Sequence, residues 1–178
     1  AVVNKLVRIL PVTQTRLSCA VVGLGAIGRA ITHKLLSLNH QVITYDNRPE
    51  KNKLFKGAQR AFDLETIFHK ADYIFGCSGR DITQNLDISS IKETKTFISC
   101  SSQDKEFQSL LKTLQQHNVF YNNVLDNLSI FLENDKMVKI FRGGYPINFD
   151  NSGESVDARD IQLTRGLLLG GMIQGLLS

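Results

Sequence analysis

Residues 19–49 read CAVVGLGAIGRAITHKLLSLNHQVITYDNRP, and the order of residue types in that stretch decides the fold. The apolar run Ser18–Val22 has the length of a buried strand and stops at Gly23. Gly23, Gly25 and Gly28 follow in G-x-G-x-x-G spacing, and Ala26–Ser37 carries apolar residues at helical period. A second apolar run, Gln41–Tyr45, ends on Asp46. Each glycine has its own part in such a setting. Gly23 permits a tight turn, Gly25 lets the backbone approach a pyrophosphate, and Gly28 lets the helix close on the strand. The amides that open the helix, around Ala26 and Ile27, carry a partial positive charge suited to phosphates.

A ligand with a ribose needs a second reader, and Asp46 stands 18 positions after Gly28, close to the spacing expected of the acid that binds ribose hydroxyls. Its carboxylate would repel a 2′-phosphate, which favours NAD over NADP. Arg48 pulls the other way, since a guanidinium just past the strand can accommodate that phosphate. Asp46, Asn47 and Arg48 together form the expected ribose-side segment.

The rest of the chain keeps the same alternation. A leading helix near Val3–Leu10 is closed by Pro11. Strands are expected at Ala58–Ala61, Tyr73–Gly76, Thr96–Cys100 and Val119–Tyr121, and helices at Glu50–Phe55, Leu64–Lys70 and Lys105–His117, with Asp63 as an N-cap. Two apolar runs around Glu133-Asn134-Asp135-Lys136 predict a hairpin, NSGES a loop, and Ala158–Leu177 a long final helix. The expected fold class is therefore α/β: a Rossmann-type, doubly wound, mostly parallel sheet with a C-terminal hairpin and a long final helix. Gly166, Gly170, Gly171 and Gly175 each cost that last helix about 1 kcal/mol relative to Ala. Close packing within the monomer, or against a second subunit, would offset this.

At 178 residues the chain suits one domain, residues 1–178. A net charge of +4 without a basic run argues against nucleic-acid and membrane partners. Cys19, Cys77 and Cys100 lie in apolar runs, the pattern of buried free thiols in a reducing compartment. His33, His40, His69 and His117 show no metal-ligand spacing, so no metal is expected. The first residues lack the apolar core of an export signal, which favours the cytoplasm. The absence of an initiating Met fits either a piece of a longer protein or removal of a Met before Ala1.

From the glycine turn onward the chain resembles the NAD-binding domain of the adenosylhomocysteinase family. TYDNRP is similar to the family's strand that ends in a ribose-binding acid, and FGCSGRDI to a segment that lines the adenosine side, which implies roles for Ser78 and Gly79. FISCSSQDKEF resembles the stretch beside the nicotinamide, which implies Ser99 and Ser101 there. GGYPINFDNSGES resembles the carboxamide-binding segment, which implies Asn148. The resemblance implies a cofactor that transiently oxidises a sugar hydroxyl during reversible hydrolysis of S-adenosylhomocysteine, in one-carbon metabolism.

The catalytic residues of that family lie largely in a substrate domain that these residues do not contain. SSQD stands where the family has Gly-His-Phe-Asp, and the later His and the Lys- and Tyr-bearing tail are missing. Catalysis by this chain alone is therefore not expected, and a substrate domain or partner chain would complete it. The alternative is a non-catalytic NAD(H)-binding or sensing module. A short-chain dehydrogenase would need Tyr-x-x-x-Lys, absent at Tyr45, Tyr73, Tyr121 and Tyr145. A 2-hydroxyacid dehydrogenase would place an Arg and a His–carboxylate pair in the second half, where only His117 stands. Cys77 and Cys100 are expected to be buried thiols rather than nucleophiles.

Overall fold

The alternating pattern resolves into strands β1 (Ser18–Val22), β2 (Gln41–Tyr45), β3 (Gln59–Arg60), β4 (Tyr73–Gly76), β5 (Lys95–Ser99), β6 (Leu128–Phe131) and β7 (Met137–Ile140). The helices are α1 (Val2–Ile9), α2 (Ala26–Ser37), α3 (Leu64–Lys70), α4 (Gln108–Gln116) and α5 (Gln162–Leu177). The structure, a computed structural model, describes residues 2–10, 15–103, 105–116, 127–132, 136–147 and 162–177. The expected strand Val119–Tyr121 lies outside them, as do Glu133–Asp135 of the expected turn and residues 148–161.

One sheet has the order β3-β2-β1-β4-β5-β7-β6. Every neighbouring pair is parallel except β6 and β7, which form the antiparallel hairpin read from the sequence. Successive residues of a strand face opposite sides, and both sides are covered, so the central strands are mostly apolar. Cys19, Val21, Phe75 and Ile98 pack with Leu6 of α1 and Ile31 and Leu35 of α2. Ala20, Ile74 and Phe97 pack on the other side with Ile67 of α3 and Phe107, Leu110 and Leu114 at α4.

Three expectations change in detail. Pro49–Leu54 forms a short 3-10 helix in place of a helix at Glu50–Phe55, with Pro49 in its first turn. Helix α4 begins at Gln108 rather than Lys105, because its first amides are capped from a distant loop: Ser109 N donates to Asp81 Oδ2 at 2.8 Å and Leu110 N to Thr83 Oγ at 3.1 Å. Glu106, which a start at Lys105 would set on a helix, is instead fully buried.

The third change is at α5. Close packing of its glycines within the monomer is not found: among the described residues, an added Cβ at Gly166, Gly170, Gly171 or Gly175 would meet nothing within 4 Å. Leu167, Leu168, Met172 and Leu176 on the same helix are all more than half exposed.

Gly28 shows the tightest constraint in the fold. A Cβ built there would stand 1.9 Å from Gly23 O, where no side chain could yield. Gly28→Ala should therefore destabilise the chain by about 3 kcal/mol, the upper end for overpacking. Urea unfolding checks this; a variant as stable as wild type would show that the turn and α2 are not in this contact.

Candidate functional site

The chain leaves β1 toward β2 and β3 and later returns to β4 on the other side of β1, so strand order reverses between β1 and β4. In open α/β sheets a crevice forms at the carboxyl ends of the strands at such a point. Here it is a cavity of about 540 Å³. Gly23 and Gly25 line it after β1, Asp46, Asn47 and Arg48 after β2, and Ser78, Arg80 and Asp81 after β4.

The turn after β1 is built by steric necessity. Gly23 has φ +94°, and a Cβ on it would lie 2.7 Å from the backbone of Cys77 and Ser78. Its amide donates to Tyr45 O at 2.8 Å, which ties β1 to the end of β2. Gly25 differs: a Cβ there would meet nothing within 4 Å, so the space beside it is open. As the N-cap of α2 it brings no side-chain acceptor, which leaves the first-turn amides to a ligand. Ala26 and Ile27, in that first turn, are exposed. Open space beside a helix N-terminus fits a pyrophosphate.

Asp46 is buried at the cavity wall. Its Oδ2 accepts the Leu24 amide at 2.7 Å and its Oδ1 the Arg48 amide at 2.9 Å. Burial pushes its pKa up, but the two amides outweigh that, aided by the charges of Lys51 and Arg48, and hold it below the ordinary carboxylate range. The group is thus ionised, and an ionised carboxylate is an acceptor suited to ribose hydroxyls. Arg48 Nε stands 3.6 Å from Asp46 Oδ1, so the guanidinium lies against the acid.

The structure brings Gly23, Gly25, Asp46, Asn47, Arg48 and Ser78 to one cavity, with Gly28 beneath and Gly79 beside it. Ser99 and Ser101 do not line it. Ser99 is fully buried, with no partner for its hydroxyl among the described residues, and Ser101 Oγ donates to Gln103 O at 2.7 Å. Asn148 lies outside the described residues. Sequence reading missed the wall formed by Leu64, Arg80, Asp81 and Ile82. The Asp81-x-Thr83 pair was a usable signal, since Thr83 N donates to Asp81 Oδ1 at 2.9 Å.

Other ionisable groups fall away from the cavity or into the protein. Cys77 lines the cavity, and its thiol bonds that of Cys100; this contact and burial hold it well above the usual thiol range, which makes it a poor nucleophile. Burial, with the Asp72 charge, pushes Cys19 up to about 12. His33 packs on Phe55, His40 Nδ1 accepts from Leu17 N, and His69 lies near Glu65 on α3, so none of the described histidines borders the cavity. His117 lies outside the described residues. Among the described residues no cluster of His, Cys, Asp and Glu could hold a metal, and no helix is long and apolar enough to cross a membrane.

Residues 8–121 match the family model of the D-isomer specific 2-hydroxyacid dehydrogenase, NAD binding domain. No curated protein matches the chain. Among solved structures, phosphoglycerate oxidoreductase from Vibrio cholerae O395 superposes with a TM-score of 0.50 at 21% identity, over 76% of this chain and 48% of that one. An imine reductase from Pseudomonas sp. gives 0.49 at 24% identity, over 58% and 39%. A D-isomer specific 2-hydroxyacid dehydrogenase from Lactobacillus delbrueckii ssp. bulgaricus, in its NAD complexed form, gives 0.43 at 21%, over 56% and 32%. The chain spans less than half the length of each of these structures.

The resemblance to adenosylhomocysteinase is overturned by that family match, and with it the hydrolase and one-carbon readings. The glycine turn and the acid after β2 are demanded by the cofactor, so they do not separate one NAD-using lineage from another. The lineage set aside for want of an Arg and a His–carboxylate pair is the one whose cofactor domain matches. Those residues serve the reaction and not the dinucleotide fold.

Glu106 supplies a test of the electrostatics beside the cavity. Burial pushes its pKa above the ordinary 4.5, against hydrogen bonds from Gly79, Ser78 and Ser101 that lower it. The native state then holds the proton more tightly than the unfolded chain, a contribution complete below pH 4.5 and lost as pH rises through the raised value. The stability of wild type relative to Glu106→Gln should therefore fall as pH rises from 4.5 through the raised value. Urea midpoints across that range check it, and a difference that is flat or rising contradicts it.

Proposed function

The chain belongs to the D-isomer specific 2-hydroxyacid dehydrogenase family, as its NAD-binding domain, and from that premise we propose that it is the cofactor-holding part of an oxidoreductase whose substrate groups come from outside these 178 residues. NAD is the cofactor of the domain. In this reading its pyrophosphate lies on the amides that open α2, beside Gly25, Ala26 and Ile27. Its adenosine ribose meets Asp46, with Asn47, Arg48, Ser78 and Gly79 around it. Ser99 and Ser101 do not line the cavity, and Asn148 lies outside the described residues. When bound, NAD supplies the hydride acceptor, and this chain's residues bind and orient it.

The observation that carries the reading is the ionised Asp46 carboxylate, fixed by two amides at the edge of the cavity. Arg48 Nε lies 3.6 Å from that carboxylate, and the negative charge of Asp46 beside it supports NAD over NADP. The lack of a described imidazole at the cavity supports a division of labour, since alcohol oxidation needs a proton acceptor. It equally favours a second reading, a module that binds or senses NAD(H) and oxidises nothing. Single-domain organisation over residues 1–178, a substrate domain or partner chain, and a homo-oligomer remain parts of this proposal. A cytoplasmic setting is supported by Cys77 and Cys100, which stand in contact as free thiols.

Thermal denaturation with added cofactor tests the binding. Millimolar NAD, held with micromolar affinity, should stabilise the chain by about 4 kcal/mol, and NADP by clearly less. Asp46→Ala should weaken NAD about tenfold by loss of charged hydrogen bonds and narrow the gap between the two. A chain that NAD leaves unchanged would refute the proposal. Mixed with NAD and 2-hydroxy acids, the chain alone should form no NADH; turnover would refute the division of labour.

A further inference from the structure

The loop after β4 forms one wall of the cavity and contains Gly79, with φ +71° and nothing within 4 Å of an added Cβ. Such a segment needs an anchor to keep one shape. Glu106, fully buried between β5 and α4, supplies it. Its carboxylate accepts the Gly79 amide and, at 3.0 Å, the Ser78 hydroxyl, while its own carbonyl accepts Ile82 N at 2.9 Å. Ser78 Oγ is in turn 3.1 Å from both Arg80 N and Arg80 O. The buried acid therefore holds the wall at 78 and 79 through its side chain, and residue 106 holds it at 82 through its main chain.

The sheet makes room for this acid. A Cβ at Gly76, the last residue of β4, would stand 2.9 Å from Glu106 Oε2 and 3.1 Å from Glu106 Cβ. A buried carboxylate is a costly way to fill space, because an apolar residue of like volume avoids the desolvation penalty. What the acid adds is direction: it accepts donors from successive loop residues that an apolar side chain would leave unmet.

We propose that Glu106 is a positioning residue for the cofactor, holding residues 78–82 in the shape that receives the adenosine half of NAD. The inference rests on the reading that the cavity holds NAD. The adenosine half is specified because this wall shares the cavity with Asp46, Asn47 and Arg48. Glu106 itself has no exposed surface and acts through Ser78 and Gly79. Preorganising the loop lowers the ordering cost that binding would otherwise carry.

The test compares the wild-type chain with Glu106→Gln by calorimetric titration of NAD and ADP-ribose, well below the melting temperature. Amide hydrogen exchange of the ligand-free chain is measured beside it. Glu106→Gln should bind NAD and ADP-ribose about tenfold more weakly, the effect of losing a charged hydrogen bond, with Gly79 exchanging faster by a similar factor. A purely structural role would lower the melting temperature and leave both affinities unchanged, and that result overturns the proposal.

If wild type binds neither probe, the NAD reading fails and the proposal falls with it. If wild type binds both and the variant binds as well, only the role of Glu106 fails. Should Glu106→Gln not fold, Ser78→Ala removes one donor without touching the acid. Weaker ADP-ribose binding together with faster Gly79 exchange then supports the proposal, and weaker binding with unchanged exchange overturns it in favour of a direct contact by Ser78.

Discussion

The bond from the Leu24 amide to Asp46 Oδ2, at 2.7 Å, joins the glycine turn to the end of β2. It fixes an ionised acid beside the N-terminus of α2, and the rest of the crevice is arranged around that pair. Gly23 can enter the turn only with φ +94° and no Cβ, and Gly28 can sit beneath it only by having no side chain. Those two positions bring α2 down onto β1, with its N-cap Gly25 at the cavity. Gly25 is the one glycine of the three whose missing side chain leaves open space rather than a filled contact. A fold constraint and a ligand constraint are thus written in the same six residues.

That overlap explains what could be read from the sequence. Strand, glycine turn, helix and acid follow from period and spacing, and the strands Ser18–Val22, Gln41–Tyr45 and Tyr73–Gly76 occur at the expected residues. The hairpin followed from two apolar runs about a polar turn. Lineage was beyond reach by the same logic: every user of NAD with this fold meets the same phosphates and ribose, so the glycine turn and Asp46 recur across lineages. Glu106 was hidden because apolar period ran from Lys105 into α4, whereas caps supplied by Asp81 and Thr83 delay the helix to Gln108. Long-range caps leave no mark in local periodicity.

In the proposed reading, chemistry and binding separate along the chain. Around the cavity stand glycines, the carboxylates of Asp46 and Asp81, the Ser78 hydroxyl and two arginines, of which Arg48 lies against Asp46, a set suited to holding a dinucleotide. The Cys77 thiol in its wall is held in the neutral form by its bond to Cys100 and by burial. The exposed apolar residues of α5 lie on an element that takes no part in this site.

Amide shift mapping of the isotope-labelled chain during NAD titration tests the central claim most directly. The account predicts perturbations concentrated at residues 23–28, 46–48 and 77–82, with little change at Ser18, Gln41 and Lys70, which line a second cavity away from the glycine turn. Shifts centred on that second cavity, or none at all at millimolar NAD, would contradict it.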